Sequence, residues 1–184
     1  MAFKSRGGLD KVWLGWFIMQ AVVIALVDAV PFYPKWLYAS PESPLYFLQR
    51  IHDFYVDTYR DLVVIEWHNA VPVRPWVRLF AYFAISFQFP TAVYAALRLR
   101  KGRGTSGGDE LLFLVYALEA FLSTLVCIHD VYHWDEKLYT MAEKHFLVGV
   151  FYSPWLLIPF AMFVDLYLRL YGRVSASDVA KKTK

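Results

Sequence analysis

The chain has 184 residues, of which 58% are apolar, 19% aromatic and 19% charged, and its mean hydropathy is +0.36. A soluble domain of this length usually carries about a quarter charged residues, so the composition excludes a solvated globular surface, as well as disordered, collagen-like and coiled-coil chains. The net charge of +3 does not point to a nucleic-acid groove, because the basic residues sit beside hydrophobic runs, where membrane proteins use them for orientation. The lone cysteine, Cys127, excludes an intrachain disulfide.

A helix that crosses the hydrocarbon layer needs about 20 mostly apolar residues. Four windows meet this requirement, at 12–30, 76–97, 111–128 and 146–168. The expected fold class is all-α: a polytopic membrane protein, a four-transmembrane-helix bundle with proline-kinked helices and a luminal helical cap. Its membrane domain spans 12–173, between an N-terminal segment 1–11 and a basic tail 174–184. Lys4, Arg6 and Lys11 precede the first window, and the small Val27 and Ala29 near its end also suit a cleaved signal peptide. The length of the window favours a retained anchor.

The connection that follows turns at Pro41 and Pro44. Leu45, Leu48, Ile51, Tyr55, Tyr59 and Leu62 then recur at three- and four-residue spacing, which predicts a helix with one apolar face lying on or capping the bundle. The second window contains Pro90, with Ala84, Gln88 and Thr91 at helical spacing; Arg98, Arg100, Lys101, Arg103 and a Gly/Ser-rich turn come next. In the third, Glu119 lies mid-span with Tyr116 and Ser123 on its face and Cys127 close by. The fourth carries Pro154 and Pro159, a face of Tyr152, Trp155, Pro159 and Met162, and Asp165 within reach of Arg169.

Lysine and arginine cluster before the first window, between the second and third, and after the fourth, which predicts a cytosolic location for these segments and both termini. The remaining connections, with Glu42, Asp53, Asp57, Asp61 and Glu66 in one and Asp130, Asp135, Glu136 and Glu143 in the other, are expected to be luminal. Residues 1–9 and 174–184 read as disordered. The last four residues, Lys181-Lys182-Thr183-Lys184, read either as a di-lysine endoplasmic-reticulum retrieval signal or as a basic tail drawn to anionic lipid.

A carboxylate within a span costs about 2.5 to 3.5 kcal/mol on insertion scales, so each one raises a functional question. Asp165 reads as a boundary residue, whereas Asp28 and Glu119 read as ligand or internal-network acids. Prolines lacking a backbone donor open the second and fourth helices. A cavity walled by their aromatics and one or two acids suits a flat apolar molecule carrying an amine or hydroxyl. His129 and His133 stand one turn apart, but His52, His68 and His145 are isolated in sequence, so neither a metal nor a cofactor is expected.

Four pieces of sequence, in this order, resemble the EXPERA-domain family: Leu26-Val27-Asp28 leading to Tyr33-Pro34; Asp61-Leu62 after an aromatic helix; Trp76 through Phe87-Gln88-Phe89-Pro90 to Tyr94-Ala95; and Tyr152-Ser153-Pro154-Trp155-Leu156-Leu157-Ile158-Pro159-Phe160. The likeness is nearest to its sigma-2 receptor branch and more distant to the emopamil-binding sterol isomerase branch. It implies an endoplasmic-reticulum protein, often a homodimer, whose kinked helices enclose a pocket for sterols or other lipids and cationic amphiphilic small molecules. It also implies Asp28 as the acid that pairs with a ligand amine, Asp61 as a second and more structural acid, and Tyr152 and Trp155 as pocket aromatics. Gln88, Thr91, Tyr116 and Glu119 complete the expected ligand-binding set. The chain departs from the family pattern at Ala84, where a carboxylate is usual, and at Ile24, where the isomerase branch has a histidine. Without a positioned acid and base, proton transfer across a sterol double bond loses its machinery, so binding is expected rather than isomerisation. A role in membrane trafficking or protein import is the third expectation.

Overall fold

The computed structural model describes residues 7–68, 73–102 and 104–182, with side chains described for those between 8 and 177. Lys4, Arg6, Arg103 and the side chains of the terminal basic motif lie outside this set. Every regular element among the described residues is helical. Four helices are long and apolar enough to cross a membrane: Gly8–Asp28, Pro75–Arg100, Gly107–Tyr132 and Met141–Ser177.

In chain order, α1 (Gly7–Val23) ends in a wide π-helical segment, Ile24–Asp28, followed by two single-turn helices at Val30–Phe32 and Lys35–Leu37. The connection contains α2 (Tyr46–Tyr59) and α3 (Leu62–His68). Next come α4 (Pro75–Phe83), a π-helical segment Ala84–Gln88, α5 (Phe89–Arg100), α6 (Gly107–Tyr132), α7 (Met141–Leu147), a third π-helical segment Val148–Tyr152, and α8 (Ser153–Lys182).

Each π-helical segment lies just before a proline, and steric argument accounts for this. A proline ring collides with the carbonyl four residues earlier. For Pro31, Pro90 and Pro154 those carbonyls belong to Val27, Ser86 and Val150, each inside a π-helical segment. Widening the turn moves the carbonyl aside. Hydroxyls reinforce two of these segments: Ser86 Oγ donates to the Tyr82 carbonyl at 2.6 Å and Ser153 Oγ to the Val148 carbonyl at 2.7 Å. Pro159, by contrast, is accommodated within α8.

Two expectations are corrected. The single cap helix predicted over 45–62 is broken at Arg60, which adopts a left-handed conformation (φ 53°). Arg60 donates its N–H to the Val56 carbonyl at 2.9 Å to close α2, and Asp61 opens α3. The tail read as disordered from 174 continues as helix to Lys182. No proline or glycine follows Gly172 to stop it.

The chain divides into two compact units, Met1–Phe17 with Thr91–Lys184, and Ile18–Pro90. In the first, α6 packs along α8, and Phe17 lies 5.2 Å from the Phe113 ring and 5.0 Å from that of Tyr116. A capping box starts α6: the Asp109 N–H donates to Ser106 Oγ, and the Ser106 N–H donates to Asp109 Oδ2. At its other end the buried Lys144 donates from Nζ to the Trp134 carbonyl at 2.6 Å and the Tyr132 carbonyl at 3.3 Å. A lysine is thereby committed to carbonyls that the ending helix leaves unpaired. In the second unit, the π-helical segment Ile24–Asp28 packs against Ala84–Gln88 and against α2, and Gln20 Nε2 donates to Gln88 Oε1 at 3.3 Å.

Candidate functional site

Of the residues singled out from sequence, Asp28, Asp61 and Gln88 belong to the second unit, and Thr91, Tyr116, Glu119, Tyr152 and Trp155 to the first. The second unit holds the more distinctive arrangement. The last carbonyls of the first span cannot be paired within the helix because the chain leaves it through the single-turn helix containing Pro31. Side chains of the connection supply the missing donors. Tyr33 Oη donates to the Ala25 carbonyl at 2.7 Å and Trp67 Nε1 to the Asp28 carbonyl at 2.9 Å. A ring nitrogen of His68 donates to the Val27 carbonyl.

The backbone of Asp28 is thus clamped, while its half-buried carboxylate makes no hydrogen bond or ion pair among the described residues. Aromatic rings stand beside this clamp. Phe32 lies 5.3 Å from Trp67 and 6.0 Å from Tyr82, centroid to centroid. Phe32 is 49% and Tyr82 50% exposed. Gln88, 8% exposed, is held by Gln20.

Asp61 has a different role. It is 1% exposed. Its Oδ1 accepts from the Val63 N–H at 3.0 Å at the start of α3, and its Oδ2 accepts from Tyr55 Oη at 3.0 Å. Burial and the adjacent Asp61 carboxylate push the Tyr55 hydroxyl above its ordinary pKa. Asp61 therefore caps α3 and ties it to α2.

Two histidines isolated in sequence meet here: His52 and His68 stack with centroids 4.3 Å apart. His52 Nδ1 lies 3.1 Å from Asp53 Oδ1. Among the described residues, neither His52 Nε2 nor His68 Nε2 has a hydrogen-bond partner. Burial, with His52 adding to it, lowers the His68 pKa to about 4. The sequence carried no signal for this pairing, because the two residues lie on different helices separated by the Arg60 break. Among the described residues, no group of three or more His, Cys, Asp or Glu side chains is placed to hold a metal ion.

In the first unit, Thr91 and Tyr116 are buried and Glu119 is half-buried. Among the described residues, neither the buried Trp16 Nε1–H nor the buried Tyr116 hydroxyl has a hydrogen-bond partner. Trp155 meets Trp16 edge to face at 5.9 Å. Asp165 accepts from Trp13 Nε1 at 2.9 Å and pairs with Arg169 at 2.7 Å, as expected of a boundary acid.

The two positions of departure from the pattern that the resemblance implies, a histidine in the isomerase branch and a carboxylate in the family, are Ile24 and Ala84. They open the two π-helical segments that pack on each other in the second unit, and neither side chain can carry a proton.

Residues 47–166 match the family described as EXPERA (EXPanded EBP superfamily). The chain is also 28% identical over 169 residues to the "Efficient mitochondria targeting-associated protein 19" of Schizosaccharomyces pombe, covering 90% of this chain and 79% of that relative. With the family match running through three of the four membrane-length helices, this chain belongs to the EXPERA family of membrane proteins.

Proposed function

We propose that this protein binds a sterol or another flat lipid, and cationic amphiphilic amines, within the membrane, with Asp28 as the counter-ion. The observation that carries the reading is the Asp28 carboxylate: half-buried at the end of a span and partnerless among the described residues, while its own carbonyl is held by Trp67. A carboxylate held in such a place without a partner carries a desolvation cost, and this calls for a partner from outside the chain. An ammonium group supplies one. Desolvated aromatic faces add about 2 kcal/mol of cation–π attraction, and Phe32, Trp67 and Tyr82 offer them beside Asp28. Ile24 and Ala84 favour binding over double-bond isomerisation. The charge distribution and the family resemblance support an endoplasmic-reticulum location with both termini cytosolic.

Mass spectrometry of lipid extracted from the purified protein tests this reading. A sterol or hydroxylated lipid enriched over the bulk membrane, and displaced by a cationic amphiphile, is the expected result. Lipid in bulk proportions would sink the proposal.

The name of the Schizosaccharomyces pombe relative favours a second reading, in which the chain assists delivery of proteins to mitochondria and the pocket is incidental. Under this reading, cells lacking the protein import mitochondrial precursors slowly, and an Asp28→Asn variant restores import as well as wild type does. Restoration by wild type alone would instead tie import to the acid.

A further inference from the structure

One end of the first unit carries a set of ion pairs. Arg169 bridges Asp10 and Asp165, each at 2.7 Å. Arg98 pairs with Asp109 at 3.0 Å, and Arg173 pairs with Glu110 at 2.7 Å and donates to the Thr105 carbonyl at 3.0 Å. The exposed Lys11 and Arg100 stand apart, since neither has a hydrogen bond or ion pair among the described residues. Both line the same cavity, about 300 Å³ in volume. Asp10 is the acid in that lining and is already committed to Arg169.

Two unpartnered cations sharing a concavity repel each other, and an anion between them removes the penalty. The rest of the lining narrows the class of anion. Leu14 and Leu99 are half-buried residues of the first and second spans, so one wall is apolar and continues along the membrane-crossing helices. Gly102 and Gly104, which also line the cavity, take left-handed conformations (φ 63° and 71°). Charge bias among the connections assigns this end to the cytosol, where the leaflet is rich in anionic lipid.

We infer that this cavity docks the phosphate headgroup of an anionic phospholipid, with Lys11 and Arg100 holding the phosphate and an acyl chain running past Leu14 and Leu99. The site belongs to the first unit and is independent of the Asp28 reading.

Quenching of the protein's tryptophan fluorescence by brominated phosphatidylserine, against brominated phosphatidylcholine, tests the inference in reconstituted vesicles of the full chain. Each basic group near the surface contributes about 1 kcal/mol of attraction. The paired variant Lys11→Gln/Arg100→Gln should therefore lose about tenfold or more of the preference for phosphatidylserine. The swap Lys11→Arg/Arg100→Lys should keep it and shows that loss reflects charge rather than folding. Lys101→Gln, which removes an exposed cation outside the cavity lining, should also leave the preference intact. An unchanged preference in the paired Gln variant, or an equal loss in Lys101→Gln, would overturn the site. Inorganic phosphate at millimolar concentration should compete poorly; if it abolishes the preference, the occupant is free phosphate and the lipid assignment fails.

Discussion

A carboxylate at the end of a membrane-crossing helix must find a positive partner or hydrogen-bond donors. Asp165 does so inside the protein, through Arg169 and Trp13, and Asp61, in the connection between the first two spans, does so through Tyr55 and the α3 backbone. Asp28 differs from both in that its neighbours hold its backbone and leave its carboxylate unpaired among the described residues. Sequence placed all three acids and put Arg169 within reach of Asp165; it did not reveal Trp13 at the Asp165 carboxylate or Trp67 at the Asp28 carbonyl, because these come from other helices. His68 illustrates the same limit. Its pKa falls from 6.5 to about 4 on burial, so the folded protein keeps the ring neutral where an unfolded chain would bind a proton. The stability this gives is fully present above pH 6.5 and is lost as pH falls from 6.5 towards 4. It amounts to at most about 3 kcal/mol at about 1.36 kcal/mol per pKa unit. The thermal unfolding midpoint in detergent should drop between pH 7 and pH 5, and His68→Asn, which keeps a donor for the Val27 carbonyl, should flatten that drop. An equal slope in the variant would remove His68 from the account.

The elements were legible where their cause is local. Runs of apolar residues gave the four spans, and Pro90 and Pro154 marked where helices would be disturbed; the structure adds that the disturbance is a widened turn enclosing the carbonyl each proline would strike. Ends were harder to read. Charged residues suggested stopping the spans at 97, 128 and 168, yet the helices run on to Arg100, Tyr132 and Lys182; at the first and last of these ends Arg98, Arg169 and Arg173 are absorbed into ion pairs. Among the acids of these pairs Asp109 matters most. It is 6% exposed, completes the capping box of α6, accepts from Tyr94 Oη at 2.6 Å and pairs with Arg98. Ser106→Ala should cost about 1 kcal/mol, as for an ordinary cap. Asp109→Ala should cost about 3 kcal/mol, because it strands a partly buried arginine. Unfolding midpoints of the two variants give the ranking directly, and equal losses would show that Asp109 acts only as a cap.

At the scale of the whole molecule, hydropathy was sufficient to identify a multi-pass helical protein, and four short pieces of sequence were sufficient to suggest its family. Long-range hydrogen bonds were beyond that reading: Trp67 reaches the Asp28 carbonyl across 39 positions, and the buried Lys144 closes the end of α6 from another helix. The Trp67 bond, with that of Tyr33 to the Ala25 carbonyl, holds the backbone around an Asp28 carboxylate that has no partner among the described residues. The central claim is that this carboxylate serves a cationic ligand, and equilibrium binding of a radiolabelled cationic amphiphile to purified wild type and Asp28→Asn tests it most directly, with an uncharged isostere of the ligand measured in parallel. Asp28→Asn should weaken binding of the cation at least about tenfold, equivalent to about 1.4 kcal/mol, and leave the uncharged isostere unaffected; equal affinity of the two proteins for the cation would contradict the account.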